Sequence, residues 1–236
     1  MLVVGEEADG LEISVTPYYE HAGITIYHGD CREILTSLVS VDFVLTDPPY
    51  DIVATGGGIG ARREYLHAIE GFTDGGFDPG ILAGFDRWAC FCAMKQVPEL
   101  IAAAKRRWCL LTWNKPNPTP LVNGNYLPDT EYVIHAFPDS SALHGGYEAR
   151  SRFIVYPAQQ DRLHPNEKPY PVIAKLMLTG STEGETVLDL FCGSGTTLEV
   201  AKNLGRQAIG IEIEERYCEI AAQRLSQEVL PLEAVQ

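Results

Sequence analysis

The residues with the clearest chemical potential are Asp47, Pro48, Pro49 and Tyr50, which follow the apolar segment 41–46. An exocyclic amino group on a nucleobase is a poor nucleophile, because its lone pair is delocalised into the ring. The Asp47 carboxylate can accept a hydrogen bond from one N–H of such a group, and the Pro48 carbonyl, held by fixed proline φ angles, can accept one from the other. Tyr50 offers an aromatic face to a base taken out of its stack. The run predicts a site that acts on a base amino group, although an isolated match could equally be a rigid strand-ending turn.

A glycine turn provides a second candidate site. Gly193 and Gly195 follow the apolar segment 186–190, and Glu212 ends the next apolar segment. In α/β folds such glycines let a nucleoside approach the backbone, and the acid accepts hydrogen bonds from ribose hydroxyls. A dinucleotide fingerprint would need a third glycine at position 198, where this chain has Leu198, so the pattern disfavours NAD.

Asp189, just before this turn, suits a positively charged cofactor better than a pyrophosphate. S-adenosylmethionine (SAM) carries an ammonium and a sulfonium and no phosphate. A glycine turn by itself is a weak signal, and a purely structural turn is the alternative.

Hydrophobic patterns predict the elements that position these residues. Near the carboxyl end, a strand, a glycine turn, a helix and a strand follow one another, which predicts a parallel sheet with right-handed crossovers. Both candidate runs would then lie at the same carboxyl edge of the sheet and converge there. The glycine-rich segment 51–80 predicts mobile loops. The predicted strands are 24–28, 41–46, 108–113, 131–137, 152–156, 186–190 and 207–213, and the predicted helices are 32–39, 98–107, 171–178, the segment after the glycine turn to 204, and 214–227.

Composition places the chain among ordinary globular α/β proteins. It has 236 residues, 45% of them hydrophobic, which suits one domain with a substantial core. No run of about 20 apolar residues predicts a membrane span, and the N-terminus turns acidic where a signal peptide would be apolar. We therefore expect a soluble, cytoplasmic protein. The six cysteines have no paired C-x-x-C spacing, so neither a metal site nor a disulfide framework is predicted.

The net charge of −14 is unusual for a protein that binds a phosphate backbone. The segment 62–168 holds 12 basic and 12 acidic residues, so the flanks hold the other 6 basic and 20 acidic residues and carry the whole surplus. The middle of the chain could therefore face nucleic acid. A dispersed, neutral charge distribution is also typical of an ordinary solvated surface.

Taken in order, four segments resemble the β class of DNA amino-methyltransferases, in which the catalytic motif precedes the cofactor motif. They are VDFVLTDPPY (41–50), HPNEKP (164–169), VLDLFCGSGTT (187–197) and RQAIGIEIEERYCEIAAQRL (206–225). The resemblance covers nearly all of 24–225. It implies one Rossmann-like methyltransferase domain spanning 1–236, with a seven-stranded, mostly parallel sheet that contains one antiparallel strand. The catalytic half would be 22–160, with a short target-recognition region at 139–161, and the cofactor half 164–227.

The resemblance also implies the site residues. Asp47, Pro48, Pro49 and Tyr50 match the catalytic motif, and SAM is the implied cofactor. Asp30 is alternatively a helix N-cap, and Lys168 alternatively a surface lysine. The implied cofactor-binding residues are Asp30, Cys31, Asp47, Lys168, Pro169, Asp189, Phe191, Cys192, Gly193, Ser194, Gly195, Thr196, Thr197, Glu212 and Ile213.

Family members that methylate cytosine at N4 usually carry serine at the position of Asp47, so the aspartate favours N6 of adenine. The implied partner is double-stranded DNA with the target base flipped out. The candidate DNA contacts are Arg62, Arg63, Lys115, Arg150 and Arg152, of which Arg150 and Arg152 could instead be routine salt-bridge partners. A homodimer stays an open alternative. Other hypotheses for the function also stay open. One is methylation of cytosine at N4, and another is methylation of RNA or of a protein amide, whose families usually have Asn at the position of this aspartate. The last is a non-catalytic module that binds DNA or cofactor.

Overall fold

One sheet of nine strands organises the part of the chain that this computed structural model describes, namely residues 16–38, 40–49, 77–118, 126–140, 143–158 and 167–227. The strands are β1 (Tyr19–His21), β2 (Ile24–His28), β3 (Phe43–Thr46), β4 (Trp88–Cys92), β5 (Arg107–Asn114), β6 (Thr130–Phe137), β7 (Phe153–Val155), β8 (Thr186–Asp189) and β9 (Gln207–Glu212).

The strand order is β1-β2-β9-β8-β3-β4-β6-β5-β7. Strands β2, β9, β8, β3 and β4 are mutually parallel, and β6 runs antiparallel to both of its neighbours, β4 and β5. The prediction of seven strands with one antiparallel strand is therefore wrong in number. Two three-residue strands at the sheet edges account for the higher number: β1, which is antiparallel to β2 and was not predicted, and β7, which is parallel to β5 and lies within the predicted strand 152–156. Without them, seven strands with one antiparallel member remain.

Five α-helices cover the described sheet from both sides. They are α1 (Cys31–Ile34), α2 (Val97–Ala103), α3 (Tyr170–Gly180), α4 (Thr196–Asn203) and α5 (Glu215–Ser226). Buried side chains of α3, α4 and α5 share one hydrophobic cluster with the sheet, and those of α1 and α2 share another. Strand β3 shows how the sequence produces this layering. Phe43 and Leu45 enter the first cluster and Val44 the second, since successive side chains point to opposite faces.

Sequence patterns missed β4, although its five residues are all buried. A strand that is covered on both faces has no polar alternation to mark it. The predicted helix 98–107 ends at Ala103, because the chain must already be extended at Arg107 to pair with Phe137. The predicted helix 32–39 is α1 followed by a short 3-10 turn, Leu35–Ser37. Most of the predicted loop region 51–80 lies outside the described residues, and its last residues begin the 3-10 helix Pro79–Gly84.

Among the described residues, no helix is both long enough and apolar enough to cross a lipid bilayer.

Candidate active site

An open cleft lies at the edge of the sheet where the parallel strands end. Strands β8 and β3 are neighbours, while β9 and β4, the strands that follow each of them in the chain, lie on opposite sides of that pair. Open α/β sheets form a crevice at such a point, because the connecting segments leave in opposite directions. The cleft has about 1030 Å³ of empty space, which includes some open solvent.

The glycine turn forms one wall of this cleft and depends on two close approaches. Gly195 has a φ of +84°, and a Cβ there would lie 2.9 Å from the Cβ of Ala221 on α5. Gly210 on β9 lets Leu198 of α4 pack against the sheet, since a Cβ at Gly210 would lie 2.6 Å from the Leu198 side chain. A glycine at position 198 is therefore not needed for close packing of helix and strand, because the small residue is on the strand.

Asp189 ends β8 and carries a buried carboxylate at the centre of the cleft. The Thr46 hydroxyl donates a hydrogen bond to its Oδ1 at 2.9 Å, and the Phe191 N–H donates to the same oxygen at 3.1 Å. Burial raises the pKa of Asp189 to about 6, and the hydrogen bonds only partly oppose this rise. A buried carboxylate with a raised pKa favours a cationic ligand, because a nearby positive charge offsets the cost of its desolvation.

Glu212, at the end of β9, faces the same cleft. The Gly193 N–H donates to one carboxylate oxygen and the Glu214 N–H to the other, each at 2.9 Å. Burial raises the pKa of Glu212, and these backbone hydrogen bonds oppose the rise. Since each carboxylate oxygen can accept about two hydrogen bonds, this geometry leaves acceptor capacity for ribose hydroxyls.

Asp47 follows β3 and belongs to a chain of alternating charges. Its Oδ2 lies 2.5 Å from the Lys168 ammonium, which also lies 3.2 Å from Glu131 Oε2. The other oxygen of Glu131 accepts a hydrogen bond from Lys115 at 2.8 Å. At Lys168, burial lowers the pKa, but the nearby carboxylates of Asp47 and Glu131 raise it above its ordinary value. At Glu131, burial raises the pKa, but the ammonium groups of Lys168 and Lys115 lower it to about 2. The charged neighbours outweigh burial at both residues and favour the ionised forms of Lys168 and Glu131.

A second buried ion pair fixes the segment that carries Lys168. Glu167 accepts a hydrogen bond from Arg224 of α5 at 2.6 Å and one from Thr196 of α4 at 3.1 Å. Arg224 also donates to the Thr196 hydroxyl at 2.7 Å. The segment before α3 is thereby tied to the two helices that flank the glycine turn.

Asp30 both caps a helix and lines the cleft. It is the N-cap of α1, accepting a hydrogen bond from the Arg32 N–H, and the Arg32 guanidinium lowers its pKa through side-chain hydrogen bonds. The next residue, Cys31, also lines the cleft, and burial raises the pKa of its thiol to about 11. At neutral pH this thiol is therefore a packing group and not a nucleophile.

Most of the predicted site residues line this one cleft. Gly195 packs against α5 instead, and Pro169 is the N-cap of α3; neither belongs to the lining. The alternative of a surface lysine at Lys168 is wrong, because that residue is only 7% exposed. The predicted residues in the lining are Asp30, Cys31, Asp47, Pro48, Pro49, Lys168, Asp189, Phe191, Cys192, Gly193, Ser194, Thr196, Thr197, Glu212 and Ile213.

The predicted DNA contacts fall in several places. Arg62 and Arg63 lie outside the described residues, as does Tyr50, which was predicted as a catalytic residue. Lys115 is mostly buried in the ion chain, Arg150 donates to the Gly145 carbonyl, and Arg152 lies just before the edge strand β7.

Sequence reasoning missed four residues that shape the site, namely Thr46, Phe91, Glu131 and Glu167. Thr46, Phe91 and Glu167 line the cleft, and Glu131 contacts Lys168 from behind. Two of them stood beside predicted residues, since Thr46 precedes Asp47 and Glu167 precedes Lys168. Phe91 lies on the strand that went unpredicted, with the Lys168 ammonium 5.1 Å from its ring centre.

Comparison with known proteins shows which family the chain resembles. A family model of N6/N4 methyltransferases, described as "DNA methylase", matches residues 141–223, which include the glycine turn and Glu212. The type II methyltransferase M2.LlaDCHI of Lactococcus lactis subsp. cremoris is 26% identical over 95% of this chain and 97% of its own length.

Solved structures show the same architecture. The SAM complex of M1.HpyAVI has a TM-score of 0.62 at 25% identity, covering 85% of this chain and 99% of that one. PvuII DNA methyltransferase, which is cytosine-N4-specific, has a TM-score of 0.66 at 16% identity, covering 92% and 91%. The latter likeness concerns the fold alone.

The mixed sheet thus has the fold of the α/β methyltransferases. Within that class, the sequence comparisons support a DNA amino-methyltransferase of the N6/N4 family.

Proposed function

We propose that this chain transfers a methyl group from SAM to N6 of adenine in double-stranded DNA, with the target base flipped into the cleft. SAM-dependent methylation of an amino group in DNA is the activity of its family. One observation carries the finer proposal. The acid that would accept a hydrogen bond from the amino group, Asp47, and the acid that would hold the cofactor, Asp189, line one cleft and are linked through Thr46.

The cofactor side of the cleft fits SAM. The buried Asp189 carboxylate favours a cation, which the methionine ammonium provides, and Glu212 has acceptor capacity for a ribose. SAM supplies the methyl group when it is bound. The protein contributes the position of the acceptor, and effective molarity gained by such positioning can be very large.

On the acceptor side, Asp47 and Pro48 would act on the amino group. The Lys168 ammonium holds Asp47 Oδ2, which restricts the rotation of the carboxylate. In this arrangement Asp47 accepts a hydrogen bond from one N–H and the Pro48 carbonyl accepts one from the other, so the nitrogen lone pair turns toward the methyl group. The nitrogen releases one proton when the new N–C bond forms, and the Asp47 carboxylate is the acceptor beside it.

Cytosine N4 is the second candidate, because a cytosine-N4-specific enzyme shares this fold with a TM-score of 0.66. Its amino group has the same hydrogen-bonding pattern. We favour adenine because members that act on cytosine usually carry serine at the position of Asp47.

The test incubates the purified protein with isotopically labelled SAM and, separately, duplex DNA, transfer RNA and a protein extract. Digestion of the DNA to nucleosides and mass spectrometry should give labelled N6-methyladenine. Labelled N4-methylcytosine would refute the choice of base, and label confined to RNA or protein would refute the substrate class.

Asp47→Ala tests the assigned role. It should lower the transfer rate at least a thousandfold while SAM affinity stays within about threefold, as measured by calorimetry. Asp42→Ala is a matched control, because Asp42 directly precedes β3, whereas Asp47 directly follows it. Asp42 accepts a hydrogen bond from the Thr186 N–H and does not line the cleft. This control should keep near-normal turnover per folded molecule. If Asp47→Ala lost SAM binding and transfer in equal measure, the role assigned to Asp47 would be wrong.

A further inference from the structure

The charge chain behind Asp47 extends beyond the residues needed to bind either reactant. Lys168 contacts Asp47 on its cleft side and Glu131 on the other, and Lys115 closes the chain at Glu131. Lys168 is 7% exposed, and the side chains of Lys115 and Glu131 are 13% and 22% exposed. Glu131 and Lys115 do not line the cleft, so they would act on its chemistry only through Lys168.

The sheet explains why Glu131 can reach this place. Because β6 runs antiparallel to β4, its beginning lies beside the end of β4, and Tyr132 pairs with Cys92. Glu131 therefore enters the sheet at the edge where the parallel strands end. Lys115 reaches the same edge because it directly follows β5, whose last residue, Asn114, pairs with Thr130.

Two carboxylates compete for the Lys168 ammonium, at 2.5 Å from Asp47 and 3.2 Å from Glu131. Without Glu131, the ammonium would be drawn more strongly to Asp47 and would neutralise more of the charge on the carboxylate that has to accept a hydrogen bond. Without Lys115, Glu131 would draw the ammonium away from Asp47, and the carboxylate would lose its fixed orientation. The four charges sum to zero, which suits a site that is shielded from water.

We infer that Glu131 is a positioning residue for methyl transfer, and that it acts through Lys168, with Lys115 as its counterion. Glu131 shares the ammonium with Asp47 and thereby sets both the direction and the acceptor strength of the Asp47 carboxylate. The inference rests on the proposed role of Asp47 and applies equally to an adenine or a cytosine target. It also gives Lys115 a role within the protein instead of a contact with DNA.

The decisive variant is Glu131→Gln, which keeps the size of the side chain and removes its charge. The matched control is Glu185→Gln. Like Glu131, Glu185 is partly buried and forms an ion pair, in this case with Arg87. It lies just before β8 and does not line the cleft. Single-turnover rates should be normalised to the concentration of SAM-binding sites, so that misfolded protein does not count. The single-turnover rate of Glu131→Gln should be at least about tenfold lower, because a small misplacement at a reacting centre slows the reaction strongly. Its Kd values for SAM and duplex DNA should stay within twofold of wild type. Glu185→Gln should react at the normal rate.

Lys115→Met tests the far end of the chain and serves if Glu131→Gln does not fold. We expect a rate about threefold lower with unchanged DNA affinity. The double variant should be no slower than Glu131→Gln alone, since both substitutions act through the same ammonium. Normal rates in both single variants would overturn the inference, as would weaker DNA binding by Lys115→Met at a normal single-turnover rate. If wild type itself transfers no methyl group, the proposed function fails instead, which separates the two hypotheses.

Discussion

Asp189 should make SAM binding depend on pH. Burial raises the pKa of this carboxyl to about 6 in the free protein. The ammonium of a bound SAM would stabilise the charged carboxylate and lower that pKa again, because an opposite charge within a few ångströms favours ionisation. Binding then releases a proton wherever the free protein holds one, so SAM affinity should fall as the pH falls through 6.

The size of the effect follows from that pKa. If binding lowers the pKa of Asp189 below about 4, the Kd should rise about tenfold between pH 7 and pH 5, which is about 1.4 kcal/mol of binding free energy. Over the same range, the number of protons released per SAM should increase from about 0.1 to about 0.9. The α-amino group of SAM stays mostly protonated at these pH values, since such groups titrate near pH 8.

Titration calorimetry in two buffers of different ionisation enthalpy measures both the Kd and the proton release. Asp189→Asn is the control, because an amide oxygen can still accept the hydrogen bonds from Thr46 and Phe191 but carries no charge. This variant should bind SAM about 10- to 100-fold more weakly at pH 7, as expected for a lost charged hydrogen bond, and its affinity should not change between pH 5 and pH 7. Equal affinity of the wild type at both pH values, or the same pH dependence in Asp189→Asn, would refute the assignment of Asp189 to the ammonium.

Two further predictions concern stability and are measured by urea unfolding. Gly195→Ala should lower the free energy of unfolding by about 2–4 kcal/mol, because it adds a contact of 2.9 Å with Ala221 to an unfavourable φ of +84°. The control Gly184→Ala has a φ of +83° and open space around it, so it should lose only about 1–2 kcal/mol from the backbone conformation. Equal losses would rule out the packing explanation. Arg224→Met should lower the free energy of unfolding by about 3–5 kcal/mol, since it removes the arginine that pairs with the buried Glu167. Arg216→Met on the same helix should lower it by less than about 1 kcal/mol, because that arginine is exposed. A small loss in Arg224→Met would show that the pair does not anchor the segment before α3.

The sequence was informative where periodicity and motif chemistry agree. Every predicted strand is present, and the two runs of candidate residues lie in one cleft. Strand β4 escaped prediction because it is buried on both faces, and with it went Phe91. The lengths of the three-residue strands β1 and β7 could not be predicted, because pairing at the sheet edge sets them. Strand β1 was not predicted at all.

Ion pairs between distant segments could not be predicted. Glu131 is 37 residues from Lys168, and Glu167 is 57 residues from Arg224. An isolated charged residue in a strand or helix is typical of a solvated surface, and only the folded chain shows which residue faces it. Lys115 is an example, because it was predicted to contact DNA and the structure shows it paired with Glu131.

The hydrogen bond from Thr46 to Asp189 has a consequence for how such a protein can diversify. It joins neighbouring strands, whose separation in any sheet is about 4.8 Å. The spacing between the proposed cofactor side and the proposed acceptor side of the cleft is therefore set by backbone pairing and does not depend on the length or composition of the connecting segments. Insertions in those segments can change which DNA sequence is read while the reacting groups keep their separation.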